Sequence, residues 1–298
     1  MTKTNLMKTT FRILMLTLAG LLLAGETTFA QIAVKGKPRS KRDSMIAHIR
    51  SEKFPMIDYH VHLKGGLTID DVLAKSKKED VTCGIAPNCG LNFPITSDSS
   101  LLAYYESMKS YPVFLGMQAE GREWVKLFSR EAISRFDYVF TDAMTFTDNK
   151  GKRTRLWIKE EVDPIDPQEF MDMYVDRILG VLNNEPIDIY VNPTFLPDYI
   201  AARYDELWTR ERMLKVIDAA VKHHIAIEIN DRYKIPSASF IRLAKSKGVK
   251  FSFGTNNADA SSYADLTYCK QMMKECNLQP GDMFFPRFMR NANKKEGK

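Results

Sequence analysis

The sequence predicts an α/β protein built as a closed or nearly closed parallel barrel of seven βα units. From residue 55 onward, short apolar segments alternate with longer helical ones, which is typical of parallel strands joined by helices. Seven such pairs favour a barrel over an open doubly wound sheet. Polar residues also share one face near the carboxyl ends of several strands, where a βα barrel carries its chemistry.

The strands and helices are predicted in strict alternation, with one long connection at 144–164 that is a candidate lid. The predicted strands are 56–62, 81–87, 112–119, 137–142, 187–192, 225–230 and 249–254. The predicted helices are 68–78, 98–109, 123–134, 166–184, 209–223, 237–247 and 262–276. Capping residues mark several helix starts, including Thr68, Asp166 ahead of Pro167, and Thr209. Gly248 ends the helix that begins at Ser237.

The strand faces are assigned from the period of two in each strand. In the sixth strand, Ile227 and Ile229 lie on one face, and Glu228 and Asn230 lie on the other. The other polar rows are Asp58, His60 and His62 in the first strand, Gln118 and Glu120 in the third, Asp188, Tyr190 and Asn192 in the fifth, and Ser252, Gly254 and Asn256 in the seventh. We therefore expect the apolar faces to pack on helices and the polar faces to reach the carboxyl-terminal rim.

Residues 1–30 read as a secretory signal peptide, in which basic residues precede the apolar run 13–25 and Thr-Phe-Ala follows at 28–30. The alternative is an uncleaved anchor, but the run is shorter than the roughly 20 residues of a spanning helix. The sequence thus predicts a periplasmic or secreted protein that begins at Gln31, with no stable membrane span after cleavage.

Composition and charge limit the class of protein to which the chain can belong. With 298 residues, 44% of them hydrophobic and 27% charged, the chain is neither disordered nor a disulfide scaffold, since it has only four cysteines. The basic arm 31–54 and the basic tail 286–298 flank the barrel domain 55–285 and show no helical period. These segments are either solvated or bind an anionic surface. No nucleic-acid partner is expected, because no aromatic residues interleave with the charges.

His60 and His62 are the candidate metal ligands, because both lie at the carboxyl end of the first strand and point to the same side. Asp58 shares their face and is a candidate to orient one imidazole. The alternative is a pair of hydrogen-bonded core histidines.

Three carboxylates lie on other strands, where a buried charge must be paired or hydrogen-bonded. Glu120 follows the third strand and is interpreted as a metal ligand. Asp142 ends the fourth strand. Glu228 lies within the sixth, where catalysis and an ion pair with Arg232 or Lys250 are equally compatible with the sequence.

On these residues the chain resembles the polymerase and histidinol phosphatase (PHP) family, which are metal-dependent phosphoesterases on a distorted TIM-like (β/α)7 barrel. Asp-Tyr-His-Val-His at 58–62 is similar to the D-x-H-x-H opening of that family. The resemblance covers roughly residues 55–285. It implies that His60 and His62 bind metal and that Glu120 stands where the family has a glutamate that bridges two metals.

Other positions match the family only in part. Asn192-Pro193 falls where the family usually has His-Pro, and Asn256 and Ala258 stand at the Asp and His positions of Gly-Ser-Asp-Ala-His. Asp142 lies close to the position of the fourth-strand histidine. The resemblance therefore implies one or two divalent ions, Zn, Mn or Fe, rather than three. The expected ligand set is His60, His62, Glu120, Asp142, Asn192 and Asn256.

The sequence thus predicts an exported metal-dependent hydrolase with phosphoesterase-like activity on a small anionic substrate. Asp142 is the expected ligand or general base, and Glu228 is a further catalytic candidate. Lys64 and Arg122 are expected to face the anionic part of the substrate. Two alternatives stay open. One is a non-catalytic ligand-binding protein on a degenerate barrel, which the replaced histidines favour, and the other is an amide or lactone hydrolase of amidohydrolase type.

Overall fold

The computed structural model describes residues 40–147 and 151–291. The predicted signal peptide, residues 31–39 of the basic arm and the end of the basic tail lie outside the described residues.

Seven parallel strands close into a barrel, which confirms the predicted fold class. In chain order the strands are β1 (Ile57–Val61), β2 (Thr82–Ile85), β3 (Asn88–Gly90), β4 (Phe114–Glu120), β5 (Tyr138–Thr141), β6 (Thr145–Thr147), β7 (Arg153–Arg155), β8 (Ile189–Tyr190), β9 (Ala226–Asn230) and β10 (Phe251–Gly254). The ring runs β1, β2, β4, β5, β8, β9, β10 and back to β1. β3 follows β2 after two residues and also pairs with β4, so that one barrel position holds an interrupted strand.

Helices surround the barrel and follow most of the predicted boundaries. They are α1 (Lys41–Ser51), α2 (Ile69–Glu79), α3 (Asp98–Met108), α4 (Trp124–Leu127), α5 (Arg130–Ile133), α6 (Pro167–Asn184), α7 (Asp198–Ala201), α8 (Tyr204–Leu207), α9 (Arg210–Lys222), α10 (Ala238–Ser246), α11 (Thr267–Glu275) and α12 (Arg287–Asn291). Thr68, Asp166 and Thr209 cap their helices by accepting backbone N–H bonds, as expected. None of the helices in the described ranges has the length and hydrophobicity needed to cross a bilayer.

The predicted helix over 123–134 is two single-turn helices, α4 and α5. Phe128 between them adopts an extended backbone, with φ −124° and ψ 135°. Ser129 then caps α5 by accepting a hydrogen bond from Ala132 N. A capping serine inside an apolar pattern therefore restarts the helix, because its side chain competes for backbone donors.

The basic arm contributes helix α1, although its sequence shows no helical period. Met45 and Ile49 are buried in the core. Arg42 forms an ion pair with Asp137 and donates to Val113 O at 3.3 Å. Asp137 and Val113 directly precede β5 and β4, so α1 packs at the amino-terminal end of the barrel. Two apolar residues four apart are enough to hold the helix there, but too few to stand out among the charges.

Every residue of β1, β4 and β9 is buried, polar residues included. A barrel strand is covered by helices outside and by side chains inside, so both faces lose water. The long connection 144–164 contains an antiparallel hairpin of β6 and β7, followed by Trp157. These features place polar side chains inside the barrel and one large aromatic ring beside its carboxyl-terminal rim.

Candidate functional site

A cavity of about 290 Å³ lies at the carboxyl ends of the barrel strands. Six of the predicted site residues line it, namely His62, Lys64, Glu120, Asp142, Asn192 and Asn256. Three do not: His60 and Glu228 are buried in the barrel, and Arg122 is bound elsewhere. The structure therefore brings together Glu120 at the end of β4 and residues from the segments that follow β1, β5, β8 and β10.

His62 presents a neutral imidazole to the cavity. Its Nδ1 lies 2.7 Å from the carbonyl oxygen of Ala86, which can only accept, so Nδ1 carries the proton. Burial lowers the pKa of His62 well below its usual range, and His60, Lys64 and Arg232 lower it further. Nε2 therefore holds a lone pair, which is the form of imidazole that binds a metal.

His60 is held by the carboxylate of Glu228, whose Oε1 lies 2.6 Å from Nδ1. The other oxygen of Glu228 accepts from Asn192 N at 2.9 Å and from Asn230 Nδ2 at 2.9 Å. Neither of the expected partners, Arg232 and Lys250, forms an ion pair with Glu228 among the described residues. The sequence expectation for this carboxylate is corrected, since its side-chain partner from β1 is the imidazole of His60.

Asp58 does not orient an imidazole ring. Its carboxylate accepts from Thr255 Oγ1 at 2.6 Å, from Thr255 N at 3.0 Å and from the backbone N of His60 at 3.1 Å. Asp58 therefore ties β1 to the end of β10, while Glu228 performs the orienting role.

Glu120 and Asp142 are buried and close enough to influence each other. Burial and the negative charge of Asp142 raise the pKa of Glu120 to about 8, and burial raises the pKa of Asp142. Asn88 and Gln118 donate amide N–H bonds to Glu120 Oε1 at 2.7 and 3.0 Å. Within the described residues no cationic side chain forms an ion pair with either carboxylate. A proton or a bound cation must therefore balance them.

Asn192 and Asn256 belong to an amide network, which limits them as metal ligands. Asn192 donates from Nδ2 to Asp142 Oδ2 at 2.8 Å. Its Oδ1 accepts from Asn230 at 2.9 Å and from Asn256 at 3.1 Å. Asn192 and Asn256 have positive φ values of 48° and 44°, a conformation that Asn adopts more readily than most residues. Their first role in this structure is to fix the position of Asp142.

Arg122 is not directed at the cavity, which corrects the sequence expectation. Its Nη1 lies 2.6 Å from Glu185 Oε1, and its Nη2 donates to Thr141 Oγ1 at 3.0 Å and to Asp142 O at 2.9 Å. Arg122 thus holds the backbone beside Asp142. The sequence does not reveal this role, because Glu185 lies 63 positions away at the end of α6.

Lys64 and Arg232 are the cations that line the cavity. Arg232 lowers the pKa of Lys64, adding to the effect of desolvation, so the two charges are near neighbours. Neither forms an ion pair with a carboxylate in the described part of the chain. Arg232 follows β9 by two residues, and this position after a strand end is the signal that identifies it as a site residue. An anion in the cavity would therefore meet two unpaired cations.

The imidazole and carboxylate groups of the site are of the kinds that bind a divalent cation. Their ligand atoms do not surround a single point in this structure. The amide of Gln118 stands between His60 and Glu120, with Oε1 3.3 Å from His60 Nε2. Three side chains in the described residues do have potential metal-ligand atoms within 4.8 Å of one another. They are His48, Glu52 and Asp80. That group lies on α1 and at the end of α2, outside the cavity. Binding of an ion by the predicted residues requires the Gln118 amide to move.

Comparisons with known proteins identify no family for the chain. No family model matches it, and no curated protein matches it. Among solved structures, a chain from the "cryo-EM structure of archaeal Ribonuclease P with mature tRNA" is similar at 14% identity, over 74% of this chain and 90% of that chain, with a TM-score of 0.38. A similarity at this TM-score carries no argument about function.

Proposed function

We propose that this protein is an exported metal-dependent hydrolase that cleaves a small anionic ester, with phosphoesters as the substrate class. The observation that carries the proposal is the arrangement within one cavity. Buried Glu120 and Asp142 form no ion pair within the described parts of the chain, His62 offers an unprotonated Nε2, and Lys64 and Arg232 line the same space. Carboxylates with imidazole suit a divalent ion, and unpaired cations suit an anionic substrate.

The metal would be held by His60, His62 and Glu120, with Asp142 as the next donor. Zn, Mn and Fe suit this set of imidazole and carboxylate groups. When bound, such an ion lowers the pKa of a water molecule and polarises the scissile group. The resemblance to the PHP family supports the same residues. The hydrogen bond between His60 and Glu228 supports the assignment further, because metal-binding histidines usually donate their other ring nitrogen to a carboxylate or carbonyl.

The remaining steps fall to side chains of this chain. Asp142 accepts the proton of the attacking water, since Asn192 and the backbone of Met144 hold its two oxygens in place. Lys64 and Arg232 bind the anionic group and orient it. Arg122 acts as a positioning residue, because its bond to Asp142 O fixes the backbone that carries the base.

A second candidate is a ligand-binding protein that has kept the barrel and lost the chemistry. The amide network of Asn192, Asn230 and Asn256 favours it, because amides occupy positions where the resembling family has charged or imidazole ligands. Both candidate functions predict that the protein binds an anion, but only the hydrolase predicts turnover.

The test is hydrolysis of 4-nitrophenyl phosphate by the purified mature chain with added Mn, Zn or Fe. We expect metal-dependent turnover that falls by at least about 100-fold in His62→Ala and in Glu120→Gln. His223→Ala is the matched control, since His223 is exposed at the end of α9 and should change nothing. Phosphate binding without turnover under any metal would replace the hydrolase by the binding protein.

The export part of the proposal rests on residues 1–30, which lie outside the described residues. Amino-terminal sequencing of the mature protein should begin at Gln31. A mature pool that begins at Met1 would contradict cleavage.

A further inference from the structure

A second cleft adjoins the charged cavity. It has a volume of about 370 Å³ and shares Trp157, Arg232 and Tyr233 with the cavity. The rest of its wall is mainly apolar and includes Phe195 and Leu196. Three shared residues mean that the two spaces meet along one wall, so a single ligand can occupy both.

A third cleft, of about 400 Å³, lies on another side of Trp157. It shares only that residue with the charged cavity, and its other lining residues include Val162 and Tyr199. The second cleft is therefore the better continuation of the cavity.

The boundary between cavity and second cleft is both aromatic and cationic. The Arg232 guanidinium lies 5.2 Å from the centre of the Tyr233 ring. Arg232 can therefore bind an anion in the cavity while it borders the apolar wall of the cleft. Tyr233 also meets Phe195 edge to face at 4.8 Å. Trp157 also lines both spaces, and its side chain is 39% exposed.

Besides Arg232, the polar groups that line this cleft include the hydroxyls of Tyr204 and Thr194, which bond to each other, and the exposed carboxylate of Asp198. Tyr204 donates its hydroxyl to Thr194 at 2.6 Å and accepts from Ser237 N at 3.2 Å. The ring of Tyr204 therefore contributes apolar surface, and the Asp198 carboxylate disfavours a second anion in the cleft.

We propose that the substrate of this site has two parts, an anionic head held by Lys64 and Arg232 and an aromatic arm that enters the second cleft. The inference rests on the proposed function and names its substrate class as aryl esters of an anion. Cavities of about 150 Å³ hold benzene, so a cleft of about 370 Å³ has room for a one- or two-ring group.

The experiment compares binding of 1-naphthylmethylphosphonate with that of methylphosphonate by calorimetry, since phosphonates bind without being hydrolysed. We expect the aryl compound to bind at least about tenfold more tightly, because it removes a ring from water against aromatic walls. Ala201→Trp fills the cleft from an exposed position on its wall and should abolish the preference while leaving methylphosphonate affinity unchanged. Ala202→Trp is the matched control, next in the chain and also exposed, and should keep the preference.

Equal affinity for the two compounds would overturn the inference, as would a preference that survives Ala201→Trp or a failure of the aryl compound to bind. Hydrolysis is measured separately with naphthyl phosphate. An aryl preference without hydrolysis would contradict the proposed function and leave the two-part site standing. Hydrolysis without an aryl preference would contradict the two-part site and leave the proposed function standing.

Discussion

The Nδ1 atom of His60 lies 2.6 Å from Oε1 of Glu228, and both side chains are completely buried. The carboxylate holds the proton on Nδ1, and Nε2, which lies 3.3 Å from Gln118 Oε1, becomes available to a ligand when that amide moves. The two residues come from β1 and β9, which β10 separates in the barrel. The pair is the arrangement expected of a metal-binding histidine, because the carboxylate orients the ring.

Glu228→Gln should weaken the affinity for a divalent ion by about 10- to 100-fold. The amide keeps the size of the side chain but removes the charge that makes His60 a better donor. Competition titration against a chelator measures the affinity. Glu206→Gln, in an exposed pair with Arg203, is the control. Equal affinity in Glu228→Gln and the wild type would remove Glu228 from the site.

Lys64→Ala and Arg232→Ala should each weaken binding of inorganic phosphate by about tenfold or more. Each change removes a charge-assisted hydrogen bond, which contributes roughly 1.5–3 kcal/mol. Lys77→Ala, an exposed lysine on α2, is the control. Calorimetry that gives the same affinity for all four proteins would place the anion elsewhere.

Arg122→Ala should lower stability far more than it lowers phosphate affinity. The Arg122 side chain is 32% exposed and its partner Glu185 is 8% exposed, so the change leaves a largely buried carboxylate without its cation. We expect a loss of about 2–4 kcal/mol in urea unfolding. Arg203→Ala, which removes an exposed ion pair, should cost less than about 1 kcal/mol. Weaker phosphate binding at unchanged stability would restore Arg122 to the substrate site.

Stability of the metal-free protein should fall as the pH rises from about 5 to about 8. The pKa of Glu120 is raised to about 8 in the folded chain, so across this range the folded state keeps a proton that the unfolded state has lost. The contribution is complete below the ordinary pKa of a glutamate and is lost as the pH passes the folded value. It amounts to on the order of 1.4 kcal/mol for each unit of difference.

Urea unfolding at several pH values measures this dependence. Glu120→Gln should reduce it, since the amide does not titrate, and the other carboxyls whose pKa is raised by burial, Asp142, Asp58 and Glu185, contribute to the slope that is left. Identical slopes in Glu120→Gln and the wild type would show that another group is responsible.

The barrel and the position of its site could be predicted from the sequence, because alternation of strands and helices fixes the topology and parallel strands end at one rim. His62, Glu120 and Asp142 accordingly lie together. The partners of the charges could not be predicted in the same way. Which cation meets Glu228, or which carboxylate meets Arg122, depends on packing between segments that are far apart in the chain.

Helix α1 and Arg232 show two further limits. Met45 and Ile49 are the buried residues of the helix, so its charged sequence carries too weak an apolar pattern to predict it. Arg232 follows a strand end, and this position marks it as a site residue. The sequence assigns it only as a partner for Glu228, because its contact with Asn256 O, 24 positions along the chain, forms only on folding.

The most direct test of the account is the metal content of the purified mature protein, prepared without chelators and measured by elemental analysis. We predict one tightly held divalent ion per chain, absent from His60→Ala/His62→Ala and retained in His223→Ala/His224→Ala. Circular dichroism confirms that each variant is folded. Metal-free wild-type protein, or a folded His60→Ala/His62→Ala variant with its full metal content, would contradict the account.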